Sequence, residues 1–530
     1  MSNLEDVYQK LLKIREREDL TFPSPTFLKE NFTNFDGSEN PLTLRYYQMQ
    51  GVYHLISMKR FILGDDTGLG KTLQAIGSMC FLWDRDPTLK AVVLTTKSAV
   101  GQWELEFQKF TEGIHTIVCK GTPKKRAKIR QEFLDYDQGP CVLISGYRTV
   151  VQDFSEMMDW DIGLLVLDEC TAIKNPKALV SQRIGYLARE QSQYVWGLSA
   201  TIIKNNLMEG WGIFRSVCPG LFGSKSAFMG QYCITRLQRI PGSRRQIPVI
   251  VGYRRGAIDE FRKKIDPFFL GRSKLDVAPE LPSLIQKNVL IEMNKRQQSK
   301  YAEALAGLLD MEDGTEKETT QLTSIIYCQQ IVNDLRLLEI DYDKSPKLDT
   351  LLDMVTEGEF ADEKVIIFSR FRKFIDIVVP ALEKKGLPTV RITGAENVDQ
   401  RKESMQKFQD PKSGINHVCI TMAASEAINL QAAKAIIFLD SPWSAGDFLQ
   451  ILGRMIRIGS IHERVFAVHL MAKDSIDYRV MKVLKDKLKL VQSVIGKRIK
   501  GEEDSDMIIE EKNDITAIFR ALQEDAQKFQ

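Results

Sequence analysis

Apolar residues in this chain gather into short continuous runs, separated by longer segments with helical spacing. A first series lies at 61–63, 91–95, 115–119, 141–145, 164–168 and 194–199, and a second at 364–369, 389–393, 417–421, 435–440 and 465–470. A run without alternation is a strand buried on both faces, and strands alternating with helices predict a doubly wound parallel sheet. The expected fold class is therefore α/β, with two such sheet domains in tandem and helical insertions. Residues 1–40 are expected to form an N-terminal arm that begins with an amphipathic helix (Leu4, Val7, Leu11, Leu12). The first sheet domain would cover 41–272, a charged helical insertion or linker 273–345, the second sheet domain 346–495, and a charged helical tail 496–530. Ligands of such sheets bind beyond the carboxyl ends of the strands. That rule selects Thr95, Thr96 and Lys97, then Ser145 and Tyr147, Asp168 and Glu169, and Ser199, Ala200 and Thr201.

Composition narrows the class without naming a chemistry. The chain has 530 residues, 43% of them apolar and 27% charged, as expected of a globular protein of two or three domains. Its formal net charge of +3 means that affinity for nucleic acid must come from local patches. The eight cysteines are scattered without a C-x-x-C pair, which argues against both a disulfide framework and a zinc site. A polar, acidic N-terminus and the lack of any run of membrane-spanning length predict an intracellular protein without a membrane anchor.

One stretch carries most of the chemistry. GDDTGLGKT, residues 64–72, follows an apolar run and precedes a helical segment at 73–82, so it sits where a parallel strand turns into a helix. Gly68 and Gly70 allow backbone angles that let successive N–H groups face one anion, and the helix N-terminus adds its partial positive charge. Asp66, Thr67, Gly68, Leu69 and Gly70 would wrap the phosphates of a nucleotide. Lys71 would reach the β- and γ-phosphates, and Thr72 would ligate Mg²⁺. Asp65 stands where the usual phosphate-loop pattern begins with Gly. Upstream, Tyr46, Tyr47 and Gln48 offer a ring to stack on a base and an amide to pair with adenine. Downstream, Asp168 and Glu169 end a buried strand as two consecutive carboxylates. A Mg²⁺ carried on ATP would pair with Asp168, and Glu169 could polarise the attacking water.

Three further stretches are charged. Between 236 and 274, eleven basic residues, among them Arg244 and Arg245, face Asp259, Glu260 and Asp266. They suggest a loop that tracks a phosphate backbone, with a solvated charged face as the alternative. PKKRAKIR at 123–130 reads either as a nuclear-import string or as a charged helix face. In QILGRMIRIGS, Gln450, Arg454 and Arg457 are spaced for one face of a helix, where arginines could reach a γ-phosphate across a cleft. The second series of strands has no phosphate loop, the arrangement expected if one nucleotide lies between two similar domains.

Taken together, LRYYQ, DDTGLGKT, TTKSAVGQWELEF, DECTAIKN, GLSATIIKNNLMEGW, FFLGRSKLDVAPELP, KVIIFSRF, INLQAAKAIIFLDSPW and QILGRMIRIG resemble, in order, the Swi/Snf-related branch of superfamily-two helicase-like ATPases. The resemblance covers about 42–490 and implies two RecA-like domains. It also implies adenine recognition by Gln48, phosphate contact by Lys71, Mg²⁺ held through Thr72 and Asp168, and water activation by Glu169. Arg454 and Arg457 would be arginine fingers, with Gln450 beside them. Lys97, Trp103, Ser199, Thr201, Thr421 and Asn429 would fall in segments that touch DNA or couple it to ATP. This sequence departs from the family pattern at Thr171, which stands where His is usual, and at Ala424 and Ser425, which replace paired glycines. The activity implied is ATP-dependent translocation on double-stranded or forked DNA by a monomer. A strand-separating helicase is the enzymatic alternative, and a DNA-binding scaffold without turnover is the alternative of another class.

Overall fold

The computed structural model describes residues 2–20, 24–33, 39–239, 246–273, 277, 282–310, 316–318, 321–422, 428–456, 460–495 and 507–508. It divides into two compact units. The first holds residues 1–233, 256–279 and 491–502, and the second 234–255, 280–490 and 503–530.

In the first unit seven strands form one wholly parallel sheet, in the order Phe269–Leu270, Arg60–Leu63, Ser192–Leu198, Ile162–Asp168, Lys90–Thr95, Cys141–Gly146 and His115–Cys119. All six apolar runs of the first series are strands of this sheet, within two residues of the expected bounds. The central strands are buried along nearly their whole length, which is why they read as unbroken apolar runs. Trp83, Trp103, Phe107, Met79 and Trp196 pack on one side of the sheet. The helix Ser2–Arg15 joins that core through Leu11 and Val7. Arg15 fixes it there, donating to Asp266 Oδ1 at 3.0 Å, to the carbonyls of Asp266 and Phe269 at 2.9 and 3.2 Å, and to His54 Nε2 at 3.0 Å.

The second unit repeats the plan with six parallel strands, in the order Ser283–Ile291, Arg464–Ala472, Ala435–Phe438, Val365–Phe368, His417–Ile420 and Thr389–Ile392. Its first strand corrects the expected linker. Residues 283–291 pair along their full length with Arg464–Ala472, as an edge strand of the sheet. Ser283, Gln286 and Asn288 are exposed along it, and the resulting polar text hides the strand. The helices Lys295–Ala306 and Gln321–Asn333, expected in this region, are present.

Two charged stretches also differ from expectation. The helix Pro123–Asp135 exposes Lys124, Lys125 and Lys128 but turns Arg126 and Arg130 inward onto Asp153, so a contiguous basic string is not on offer. The basic stretch from 236 is no simple loop. Cys233–Arg239 and Gln246–Tyr253 pair as a hairpin that also bears Met507–Ile508, and the helix Ala257–Ile265 follows. Arg244, Arg245 and Lys274, and nearly all of the expected C-terminal tail, lie outside the described residues.

His417, which opens a central strand of the second sheet, is buried with no hydrogen-bond partner among the described residues on either ring nitrogen. Burial pulls its pKa down to about 4, helped by nearby Lys364. The unfolded chain therefore takes up a proton near pH 6.5 that the folded chain refuses. This group's share of stability is present above pH 6.5 and is lost as pH falls toward about 4. Urea unfolding of the full chain at pH 7 and pH 5 should show a loss smaller by about 2 kcal/mol in His417→Leu than in the natural chain. An equal loss in both would show that this imidazole is not the sensitive group.

Candidate nucleotide site

The strand Arg60–Leu63 runs into the phosphate loop, and the loop stays paired after the strand ends. Gly64 N–H donates to the Leu270 carbonyl at 2.7 Å and Asp66 N–H to the Arg272 carbonyl at 3.0 Å. Gly68 and Gly70 have φ of 90° and 76°, in the left-handed region where a side chain would be strained. Space is short as well, since a Cβ on Gly70 would lie 2.4 Å from Gln48 Nε2. The helix Lys71–Arg85 begins at once, so its N-terminus faces the loop.

Asp65 is explained by its partner. Its side chain is fully buried and accepts from Arg272 Nε at 2.8 Å, from a second Arg272 nitrogen, and from Gln74 Nε2 at 3.1 Å. The same guanidinium donates to the Tyr47 carbonyl and to Gln50 Oε1 at 3.1 Å, so it ties the loop to the helix Tyr46–Ser57. Arg272 was counted among the basic residues expected to track a phosphate backbone, and the structure withdraws it into this site.

Lys71 Nζ donates to the carbonyls of Asp65 and Asp66 at 2.6 and 3.2 Å. Burial lowers its pKa, while Glu169, Asp65, Asp66 and Asp168 act to raise it. The negative charge of both acidic stretches therefore acts on this ammonium. Asp168 is held on several sides. Its Oδ2 accepts from Thr95 Oγ1 and from Trp103 Nε1, each at 2.8 Å, its Oδ1 accepts from Glu169 N–H at 3.0 Å, and its carbonyl accepts from Tyr147 Oη at 2.8 Å. Glu169 has φ 50° and ψ 53°, a left-handed conformation that costs a non-glycine residue about 1 kcal/mol or more. Strain of this kind collects where a side chain must be aimed.

Other expected residues fall into place unevenly. Gln48 Oε1 accepts from Arg45 N–H at 2.9 Å and Nε2 donates to the Leu69 carbonyl at 3.3 Å, so this amide rests on the phosphate loop. Tyr47 is fully buried under the Arg272 guanidinium and edge-on to Tyr46, which leaves the half-buried Tyr46 as the ring nearer solvent. Lys97 is exposed. Trp103, Ser199 and Thr201 are buried, and Ser199 N–H donates to the Leu63 carbonyl at 3.2 Å, so the side chains of these three are not exposed at the surface. In the second unit Gln450 and Arg454 are buried one turn apart on the helix Ala445–Met455. The helix ends at Met455 with Ile456 extended, and Arg457 lies outside the described residues. Thr421 is buried and Asn429 partly so, with Asn429 Nδ2 donating to Gln431 Oε1 at 3.3 Å; Ala424 and Ser425 lie outside the described residues.

Sequence reading missed two polar clusters. Glu209 accepts from Lys174 Nζ at 2.7 Å and from the N–H groups of Lys204 and Asn205 at 2.6 and 2.9 Å, which clamps IKN to NNLMEGW. Burial would raise the Glu209 carboxyl, but Lys174 and Asn205 hold it below its ordinary value. A Cβ on Gly212 would come within 2.1 Å of the Lys174 carbonyl oxygen, so the two segments touch backbone to backbone. In the second unit the buried Lys347 ammonium donates to Asn333 Oδ1, to the Leu439 carbonyl and to Asp477 at 2.9, 2.8 and 2.7 Å. Asn333 in turn donates to Asp440, which also accepts from Ser369 Oγ and Arg370 N–H. Both clusters lie in segments whose motifs were visible, but no motif says which carboxylate meets which amine.

The described residues contain no group of His, Cys, Asp and Glu arranged to hold a metal unaided, and no helix long and apolar enough to cross a membrane. The SNF2-related domain family matches residues 47–337, and the helicase conserved C-terminal domain family matches 346–459. Among characterised proteins, the nuclear protein STH1/NPS1 of Saccharomyces cerevisiae is 26% identical over 86% of this chain and 35% of its own length. The ATP-dependent DNA helicase DDM1 of Arabidopsis thaliana is 27% identical over 91% of this chain and 67% of its own length. The ISWI chromatin-remodeling complex ATPase ISW2 of Saccharomyces cerevisiae is 27% identical over 92% and 42%. The chain thus spans between about a third and two thirds of the length of these relatives. A solved SWI2/SNF2 ATPase core of Sulfolobus solfataricus in complex with dsDNA is 24% identical, with a TM-score of 0.42 over 90% of this chain and 95% of that one.

Arg272→Ala would leave Asp65 buried without its counter-charge, which typically costs about 3–5 kcal/mol. Urea unfolding should show a loss of that order, and nucleotide affinity should fall with it. An unchanged unfolding curve and unchanged affinity would contradict the role given to this pair.

Proposed function

Because the chain belongs to the SNF2-related family, we propose that it is an ATP-driven motor that moves along double-stranded DNA. The observation that carries this reading is a phosphate loop with left-handed Gly68 and Gly70 leading into the helix Lys71–Arg85, in the same sheet domain as an Asp168 carboxylate held by Thr95, Trp103 and the N–H of a strained Glu169. In this reading the loop 66–70 and Lys71 bind the phosphates, and Gln48 reads the adenine with Tyr46 or Tyr47 beside it. The Thr72 hydroxyl and the Asp168 carboxylate are hard oxygen donors, a set that fits Mg²⁺. When bound there the ion would neutralise charge on the phosphates. Glu169 takes the proton of the attacking water. Arg454 and Arg457, with Gln450 next to them, supply positive charge to the γ-phosphate as bonds break, an effect worth about 10³- to 10⁵-fold in rate.

The DNA-facing part of the proposal rests on exposed Lys97, the segments of Ser199, Thr201, Thr421 and Asn429, and Arg244 and Arg245. Duplex or forked DNA is the substrate class. Movement would follow from cycles of nucleotide binding and hydrolysis that alternately grip and release the backbone, a positioning and electrostatic task that needs no covalent step with the DNA.

Glu169→Gln keeps the shape of the side chain and removes the base. It should bind ATP at least as tightly as the natural chain and hydrolyse it about 10²- to 10⁴-fold more slowly. Equilibrium binding of labelled ATP together with steady-state phosphate release checks both halves. Turnover at the natural rate would remove Glu169 from the mechanism.

A further inference from the structure

Two donors from one short segment meet on a single oxygen of the acidic motif. Thr95 ends the strand Lys90–Thr95 and Trp103 lies in the first turns of the helix Val100–Phe110. Their Oγ1 and Nε1 both stand 2.8 Å from Asp168 Oδ2. Between them the chain makes a tight turn, with Ala99 N–H on the Thr96 carbonyl at 3.0 Å and Trp103 N–H on the Ala99 carbonyl at 3.0 Å. The exposed side chain on that turn is Lys97, while Thr95 and Trp103 are buried. The segment is therefore a closed loop stapled at both ends to one carboxylate oxygen, with a cation at its outer tip.

We propose that Trp103 is a positioning residue that fixes the Asp168 carboxylate for the metal ion and links it to the loop carrying Lys97. The proposal rests on the reading of Asp168 as the metal-binding carboxylate given above. An indole N–H donating to a charged oxygen sets the plane of the carboxylate, and the buried ring, packed with Phe107, leaves that donor no other place to go. Oδ1 keeps only the Glu169 N–H as a partner among the described residues, so it is the oxygen left to face the ion or its water. Because Trp103 and Lys97 belong to one loop, a pull on Lys97 by a DNA phosphate reaches Asp168 through the indole. This separates Trp103 from an ordinary core tryptophan such as Trp83, whose N–H goes to the Leu89 carbonyl at 2.9 Å.

The test uses the full chain carrying Glu169→Gln, so that ATP persists. Affinity for a fluorescent ATP analogue is measured with Mg²⁺ and with EDTA, and the ratio of the two is the readout. Adding Trp103→Phe should reduce that ratio about tenfold and leave the affinity in EDTA unchanged, whereas Trp83→Phe should move neither. Saturating duplex DNA should shift the ratio in the parent and not in Trp103→Phe. If Trp103→Phe melts well below Trp83→Phe, Thr95→Val, which removes the other donor to the same oxygen, replaces it and should also lower the ratio. A ratio equal to the parent's, or a DNA-induced shift that survives Trp103→Phe, overturns the proposal. A parent with no gain from Mg²⁺ overturns the reading of Asp168 and this proposal with it.

Discussion

The buried Arg272 guanidinium is the contact on which the nucleotide site depends. It binds the carboxylate of Asp65, the carbonyl of Tyr47 and the amide of Gln50, groups drawn from the phosphate loop and from the helix that precedes it. Removing two charges from water is expensive, and the expense is offset only when the fork of the arginine is matched and the remaining donors and acceptors are filled. Gln74 completes the match on Asp65. The loop proposed to hold phosphates is therefore tied in place by the protein's own contacts. Lys71, resting on the carbonyls of Asp65 and Asp66, inherits that order.

From this fixed point the acidic pair gains its meaning. Asp168 is tied through Thr95 and Trp103 to one stretch of the chain and through Tyr147 to another, and Glu169 is bent into a conformation that the backbone resists. The family-specific segments add a second layer. Lys174 and Glu209 lock the turn after the acidic pair to the helix Leu207–Val217, with Gly212 small enough to let the backbones touch. The second unit builds its own buried network around Lys347, Asn333 and Asp440.

Much of this was legible in the sequence, because unbroken apolar runs can be little else than strands of a parallel sheet. The Gly68 and Gly70 angles, the site of the acidic pair and the tandem plan follow from local text. What stayed hidden depended on distant partners. Asp65 looked like a departure until Arg272, more than two hundred residues away in the chain, was seen to need it. The strand Ser283–Ile291 was masked by the polar residues of an edge, and Phe269–Leu270 was too short to register as a run. Gln450 and Arg454 had helical spacing and share the helix Ala445–Met455, but spacing could not report where that helix ends. Arg126 and Arg130 read as surface charge until Asp153 turned them inward.

Under the proposed function, ATP turnover serves movement on duplex DNA. The direct measurement is steady-state ATP hydrolysis with no nucleic acid, single-stranded DNA, duplex DNA, forked DNA and RNA in parallel, with Lys71→Ala as the blank. A motor on duplex DNA should show a strong rise in turnover with duplex or forked DNA and none in the blank. A rise with single strands or RNA alone, or no turnover on any of them, would contradict it.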